Sequence, residues 1–166
     1  MNCLVPETLT SPPVQIVKTH VLGHDILFAV DQPRDAIQAH HMAGRFYEAD
    51  ELLLMSKAFP MGGRFLDIGA NVGNHSIFFG KIMQAETITP IEVNPRVVSI
   101  LKTNLNINGL GPVTDMQHLG LGLHNESLSG AAINFTERNI GGGRVRHEGG
   151  DLELVRGDAI LQGPYD

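Results

Sequence analysis

The sequence predicts an α/β chain whose strands run parallel, preceded by a short hairpin and a helix. Two observations carry that prediction. Strand, helix, strand, helix and strand signals alternate within about 60 residues from Arg64 onward, the pattern of a parallel sheet closed by right-handed crossovers. The composition also suits a packed core: 166 residues, 42% hydrophobic and 18% charged, which excludes a disordered chain.

Along the chain, residues 4–13 contain Pro6, Pro12 and Pro13 and read as a loose leader. Val14–Thr19 and Asp25–Val30 flank Gly23-His24 as the arms of a hairpin. Asp31–Arg45 is polar and irregular, and no element is assigned there. Glu48–Phe59 is acidic at its start, apolar on one side and stopped by Pro60, which predicts a helix. Arg64–Ile68 is a short apolar strand, and Asn74–Met83 follows as a helix weakened by Gly80. Glu86–Val93 is the second strand. Asn94-Pro95 supplies a cap and a first-turn proline to a helix bearing Val97, Val98, Leu101 and Leu105 and ending near Gly109. Val113–Leu121 reads as the third strand. Ala131–Thr136 and Leu152–Arg156 are further strands around a turn-forming stretch, Asn139–Gly143, and Asp158–Leu161 reads as one helical turn. Residues 1–59 thus form a leader, hairpin and helix, and 60–166 the strand–helix region, the two making one structural unit.

The 12 basic and 18 acidic residues give a net charge of −6 with no Lys/Arg run, which argues against a nucleic-acid partner. The single cysteine, Cys3, excludes a disulfide framework and a Cys-based zinc site. Eight histidines raise the question of a metal. However, His20 and His24 lie across a hairpin turn, and His40-His41 are adjacent, so neither pair has ligand spacing; no metal is expected. No basic, apolar opening marks a secretion signal, and no stretch approaches the ~18 apolar residues of a membrane span. A cytosolic protein without a membrane partner is therefore expected.

The stretch that carries chemistry is FLDIGANVGNH, Phe65–His75. A strand that ends in glycine and feeds a helix lets a ligand approach bare backbone and aims free helix N–H groups at it. Gly69 and Gly73 supply the tight turn and close approach. Their spacing is not the Gly-x-Gly-x-x-Gly of dinucleotide folds, because Asn71 stands where a pyrophosphate needs glycine. Asp67 ends the first strand with its carboxylate expected in the crevice. Glu92 ends the second, 23 residues after Gly69, the offset of an acid that holds both ribose hydroxyls. Two acids and two glycines describe a pocket for a cationic, phosphate-free nucleoside, of which S-adenosylmethionine (SAM) is the common case.

FLDIGANVGNHSIFF, followed by IEVNPRVVSILKTNLNINGL, resembles the FkbM family of SAM-dependent methyltransferases. Gly44–Met55, His118–Gly122 and Asn139–Val145 are similar to that family's first helix, third strand and Gly-containing segment, so the likeness spans roughly residues 14–166. The resemblance implies a Rossmann-like class I methyltransferase fold, of which this is the N-terminal part only. The family's Lys-x-Asp-x-Glu-Gly strand follows a segment like Pro164-Tyr165-Asp166, and the chain reads as truncated before it. The family shows Glu-Pro where this chain has Glu92-Val93, and Pro90 predicts a second strand that is bulged or shortened. By the resemblance, Asp67, Gly69, Asn71 and Gly73 hold the methionine end of SAM, Glu92 holds the ribose, and Asn74 and His75 line the same rim; Ala70 and Asn94 are counted with the cofactor-binding residues.

The function implied is O-methylation of a hydroxyl on a sugar or secondary metabolite, with a small molecule or glycan as acceptor. A hydroxyl must lose its proton, and His75, opening the helix beside the turn, is the candidate base, its plainer role being packing at the helix start. Tyr47 and Glu48 cover the cofactor from outside or cap a helix, and His124 reaches the crevice or stays in a loop. Two alternatives remain: an inactive SAM-binding or interaction fragment, and a nicotinamide-dependent oxidoreductase, which the glycine spacing disfavours. An exposed edge on the first strand predicts association between copies.

Overall fold

The computed structural model describes residues 14–136 and 139–166; the proline-containing leader at 4–13 lies outside them. The predicted hairpin forms from β1 (Gln15–Val21) and β2 (His24–Val30), paired antiparallel from Gln15↔Val30 to Val21↔His24. Leu22 and Gly23 make the two-residue turn, both at positive φ (50° and 84°), the mirror-image turn whose twist matches the strands. Alternate β2 residues Ile26, Phe28 and Val30 face the core.

The region left without an element contains α1 (Ala36–Met42). Its start signal is Asp35, whose carboxylate accepts hydrogen bonds from the backbone N–H of Ile37 and Gln38. The next helix, α2 (Ala49–Ala58), matches expectation and is entered through Glu48 in left-handed backbone, φ 54°.

β3 (Arg64–Ile68) and β4 (Thr87–Ile91) pair in parallel, Arg64↔Thr87 through Ile68↔Ile91, with α3 (Asn74–Lys81) as the crossover. α4 (Pro95–Ile107) follows, capped by Asn94 accepting from Arg96 N–H. β4 is shortened, as Pro90 foretold. The predicted third strand, Val113–Leu121, is not there, and Pro90 supplies the reason. Ile88 and Glu92 turn their carbonyls to the edge away from β3, accepting from Asp115 N–H (2.8 Å) and Gly120 N–H (2.8 Å). Pro90 lies between them on that same edge and has no N–H to give. The chain touches β4 at the single Ile88↔Thr114 bridge, turns away, and returns to strand only at β5 (Leu121–His124).

β5 belongs to a second, mixed sheet with β6 (Leu128–Thr136), β7 (Asn139–Arg146) and β8 (Leu152–Arg156), in the order β5-β8-β6-β7. Only β5–β8 is parallel. The single incomplete parallel sheet of the sequence reading is therefore corrected to a two-stranded parallel unit beside a four-stranded mixed one. The Asn139–Gly143 turn is corrected too: those residues are β7. The terminal helical turn is α5 (Gly157–Ile160). At the outer edge of β3, Asp166 N–H donates to the Arg64 carbonyl, and Arg64 N–H donates to the Asp166 carboxylate, both at 2.9 Å.

The main core lies between the hairpin, α2, α3 and the parallel pair. An aromatic chain runs through it: His41 stacks on Phe28 (centroids 4.1 Å), Phe28 meets Phe46 edge-on (5.2 Å), and Phe46 meets Phe78 edge-on (5.4 Å). Phe78 and Phe79 pack as expected of core residues.

Candidate functional site

The connection from β3 to α3 is a tight turn with Gly69, Asn71 and Gly73 at φ 77°, 49° and 90°. Asparagine is among the few side chains that tolerate this region, which is how Asn71 stands between two glycines. Gly73 is required for a second reason: a Cβ there would lie 2.8 Å from Leu101 Cδ1 on α4. The turn is pinned to β4 by Gly69 and Ala70 N–H donating to the Ile91 carbonyl (2.9 and 3.0 Å).

Glu92 is the centre of the arrangement. It is buried, and each carboxylate oxygen accepts a backbone N–H: Oε2 from Asn71 and Oε1 from Asn94, both at 2.8 Å. Burial raises its pKa, and the N–H bonds oppose that rise. Asn71 Oδ1 and Asn94 Nδ2, on the two residues that flank this carboxylate, are buried without a hydrogen-bond partner among the described residues. Buried orphans of opposite character beside a carboxylate are what a polar ligand satisfies.

Two cavities meet at Gly69. One, about 310 Å³, is lined by Gly69, Ala70, Asn71, Asn74 and His75, faced by Ile37, Tyr47, Glu48, Gly141 and Gly142. The other, about 230 Å³, is lined by Gly69 and Glu92 and by apolar Ile68, Ile91, Val93, Leu121 and Leu154, with His124 and His147 also lining it. The His124 and His147 rings meet edge-on at 4.9 Å.

Six predicted residues therefore line one cavity or the other: Gly69, Ala70, Asn71, Asn74, His75 and Glu92. Three do not. Gly73 caps α3 and faces Leu101, and Asn94 caps α4 while tying Glu92. Asp67 departs from its expected place in the crevice. Its carboxylate turns toward α3 and accepts from the Ser76 hydroxyl at 2.6 Å, and burial raises its pKa. A serine three residues into the helix offers a nearer partner than the crevice does.

Asn74 also does more than line a rim. Its Nδ2 donates to the Tyr47 carbonyl, and its Oδ1 accepts from Tyr47 N–H and from the buried His41 Nε2, at 2.9, 2.9 and 3.0 Å. This fixes the backbone ahead of Glu48, whose Oε2 stands 3.7 Å from His75 Nε2.

Sequence reasoning missed the far wall. Asp35 Oδ2 accepts from Ile140 N–H of β7 at 3.0 Å, bringing β7 down over the turn. A Cβ on Gly141 would run into the Asn71 amide, so only glycine lets the two backbones approach. The signals were present, in an Asp before Ala36 and in three consecutive glycines, but a glycine run reads as a turn unless its strand partners are known. Among the described residues, no three His, Cys, Asp or Glu side chains gather as a metal site, and no helix is long and apolar enough to cross a membrane.

No protein-family model matches the chain, and no curated protein does. Solved structures similar to it include Methanocaldococcus jannaschii Trm5 in complex with adenosine (20% identity, TM-score 0.40, over 66% of this chain and 31% of that one). Another is M. jannaschii TYW2 in complex with AdoMet (18%, TM-score 0.45, 65% and 45%). A third is the complex of aTrm5 with tRNALeu (17%, TM-score 0.43, 68% and 29%). The chain thus spans less than half the length of each, and likenesses this distant do not decide what it acts on. One expectation is corrected here. A net charge of −6 does not exclude a nucleic-acid partner, and a tRNA complex among the similar structures stands against that exclusion.

Proposed function

We propose that this chain binds S-adenosylmethionine across Gly69 and serves methyl transfer to a hydroxyl acceptor, as its resemblance to FkbM methyltransferases implies. The observation that carries the reading is the pair of cavities that share Gly69 as a wall, one polar and one mostly apolar with Glu92 in its lining. An amino-acid group suits the first, a base suits the second, and a ribose diol suits Glu92 between them. The orphaned Asn71 Oδ1 fits the same ligand, offering an acceptor in the wall of the polar cavity. Adenosine and AdoMet in the similar structures agree with this choice.

When bound, the sulfonium supplies a methyl group already activated for displacement. The protein's task is then alignment and exclusion of water. Glu92, held by two N–H bonds, is pre-set to accept from ribose hydroxyls without reorganising. Asn71 and Gly69 present backbone to the ligand. His75 would take the hydroxyl proton, with Glu48 opposite its Nε2 to stabilise the imidazolium.

Calorimetric titration of the purified chain tests this. S-adenosylhomocysteine (SAH) and SAM are expected to bind and NADH is not. Glu92→Ala should weaken SAH by tenfold or more, about 1.5–3 kcal/mol for a lost charged acceptor. NADH binding with silence toward SAH, or an unchanged affinity in Glu92→Ala, overturns the reading.

A further inference from the structure

An apolar cavity of about 390 Å³ shares Glu48 with the polar cavity at the glycine turn. Val21, Leu22, Phe46, Leu53 and Phe78 form its apolar wall, and His40, Arg45, Asp50 and Glu51 also line it. Two of its residues hold backbone conformations that side chains rarely adopt, Leu22 at φ 50° and Glu48 at φ 54°. Each costs on the order of 1–2 kcal/mol, and such strain persists where the surroundings over-determine it. At Glu48 the cause is visible: Asn74 grips Tyr47 on both its N–H and its carbonyl, so the chain must turn at the next residue. At Leu22 the turn position favours asparagine, yet a leucine stands there, 56% exposed and against the cavity.

We propose that this cavity is the acceptor site: it takes a hydroxyl compound with an aromatic or aliphatic body, and Glu48 accepts the hydrogen bond of its hydroxyl at the wall shared with the cofactor cavity. The proposal rests on the methyl-transfer reading and narrows it, because the surface this cavity exposes is mostly apolar despite the polar residues at its wall, which suits an aliphatic or aromatic body better than a sugar ring. It also gives the strained Glu48 a purpose. The residue lines the acceptor side while its Oε2 stands 3.7 Å from His75 Nε2, so the proton it draws from the hydroxyl has the imidazole as its destination.

The probe is 4-propylphenol, compared with its methyl ether 4-propylanisole, which cannot donate a hydrogen bond. Both are titrated into the full chain with labelled leucine and valine methyl groups and followed by NMR. The phenol should shift the Val21, Leu22 and Leu53 methyls saturably, with and without SAH, and leave those of Val93 and Leu121 unmoved. It should bind about tenfold tighter than the ether, the worth of one hydrogen bond to a charged acceptor. In Glu48→Ala, which keeps a left-handed L residue there, that preference should vanish while the ether binds as before. Unmoved Val21, Leu22 and Leu53 methyls, shifts confined to Val93 and Leu121, or a phenol preference that survives Glu48→Ala each overturn the proposal. SAH calorimetry on the same samples reports separately on the cofactor reading. A chain that binds SAH but not the phenol loses only the acceptor site.

Discussion

Asn104 and Asn108 stand four residues apart on α4 and act as a false strand edge. The side of β2 turned away from β1 has unpaired backbone groups at Leu27 and Ala29. Asn108 Oδ1 accepts from Leu27 N–H (3.0 Å) and its Nδ2 donates to the Leu27 carbonyl (2.7 Å); Asn104 Oδ1 accepts from Ala29 N–H (2.6 Å). The spacing explains the match: four helical residues rise about 6 Å, and two strand residues advance about 6.7 Å. Asn104 Nδ2 also donates to the Val72 carbonyl (2.7 Å), so one buried side chain joins hairpin, helix and glycine turn. Asn104→Leu should therefore cost about 2–4 kcal/mol, since it orphans buried groups on two elements. Urea unfolding measures this, and a loss under 1 kcal/mol would show the amide to be dispensable. His41 provides the second prediction at this scale. Burial against Phe28 lowers its pKa from 6.5 to about 4, the Asn74 hydrogen bond opposing the shift. The unfolded chain takes up this proton from about pH 6.5 and the folded chain only near pH 4, so stability falls as pH drops through that window, by at most about 3 kcal/mol. Asp67 and Glu92, with raised pKa values, act in the opposite sense on acidification and offset part of the loss. Unfolding curves of wild type and His41→Phe between pH 7 and 4 separate the two, and equal pH slopes would remove His41 from the account.

Among the elements, α1 depends on Asp35 twice. One carboxylate oxygen caps the helix and the other holds Ile140 of β7. Asp35→Ala is expected to cost about 2 kcal/mol and to speed amide exchange at α1 and at Ile140 together. Faster exchange at α1 with Ile140 unchanged would mean that the tether is idle. This coupling also explains which elements the sequence disclosed. β3, α3 and α4 were legible because each carries its own signals: a short apolar run, a glycine turn, an Asn-Pro start and apolar residues at helical spacing. α1 has only a cap and one buried turn, its partners lying far along the chain. Val113–Leu121 looked like a strand by composition, but a strand needs a neighbour with donors, and Pro90 removes one from the middle of the receiving edge. β7 looked like a turn because its glycines serve close approach to Ile133 and Asn71, contacts that no local window contains. The position of Glu92 beside the glycine turn was legible because its offset from Gly69 is set by one crossover. Asp67 was misjudged because Ser76 lies a helical turn away in space, not in the strand pattern.

At the scale of the whole molecule, the candidate cofactor cavities lie along the seam between the parallel unit and the mixed sheet. Bonds that sew the seam near the site include Gly120 N–H to the Glu92 carbonyl and Ile140 N–H to Asp35, beside the glycine contact of β7 with Asn71. A ligand that touches both sides adds contacts that neither sheet makes alone, so binding and docking of the sheets are linked. SAH at 100 times its dissociation constant should then raise stability by about 2.7 kcal/mol. The increase should also be distributed in a particular way. Amides of the turn from Gly69 to Gly73 and of β7 from Ile140 to Gly142 should both gain hydrogen-exchange protection, while β1, remote from the seam, gains only what global stabilisation gives. Protection limited to the turn would mean that the mixed sheet is a bystander, and that the wall formed by Gly141 and Gly142 takes no part in holding the ligand.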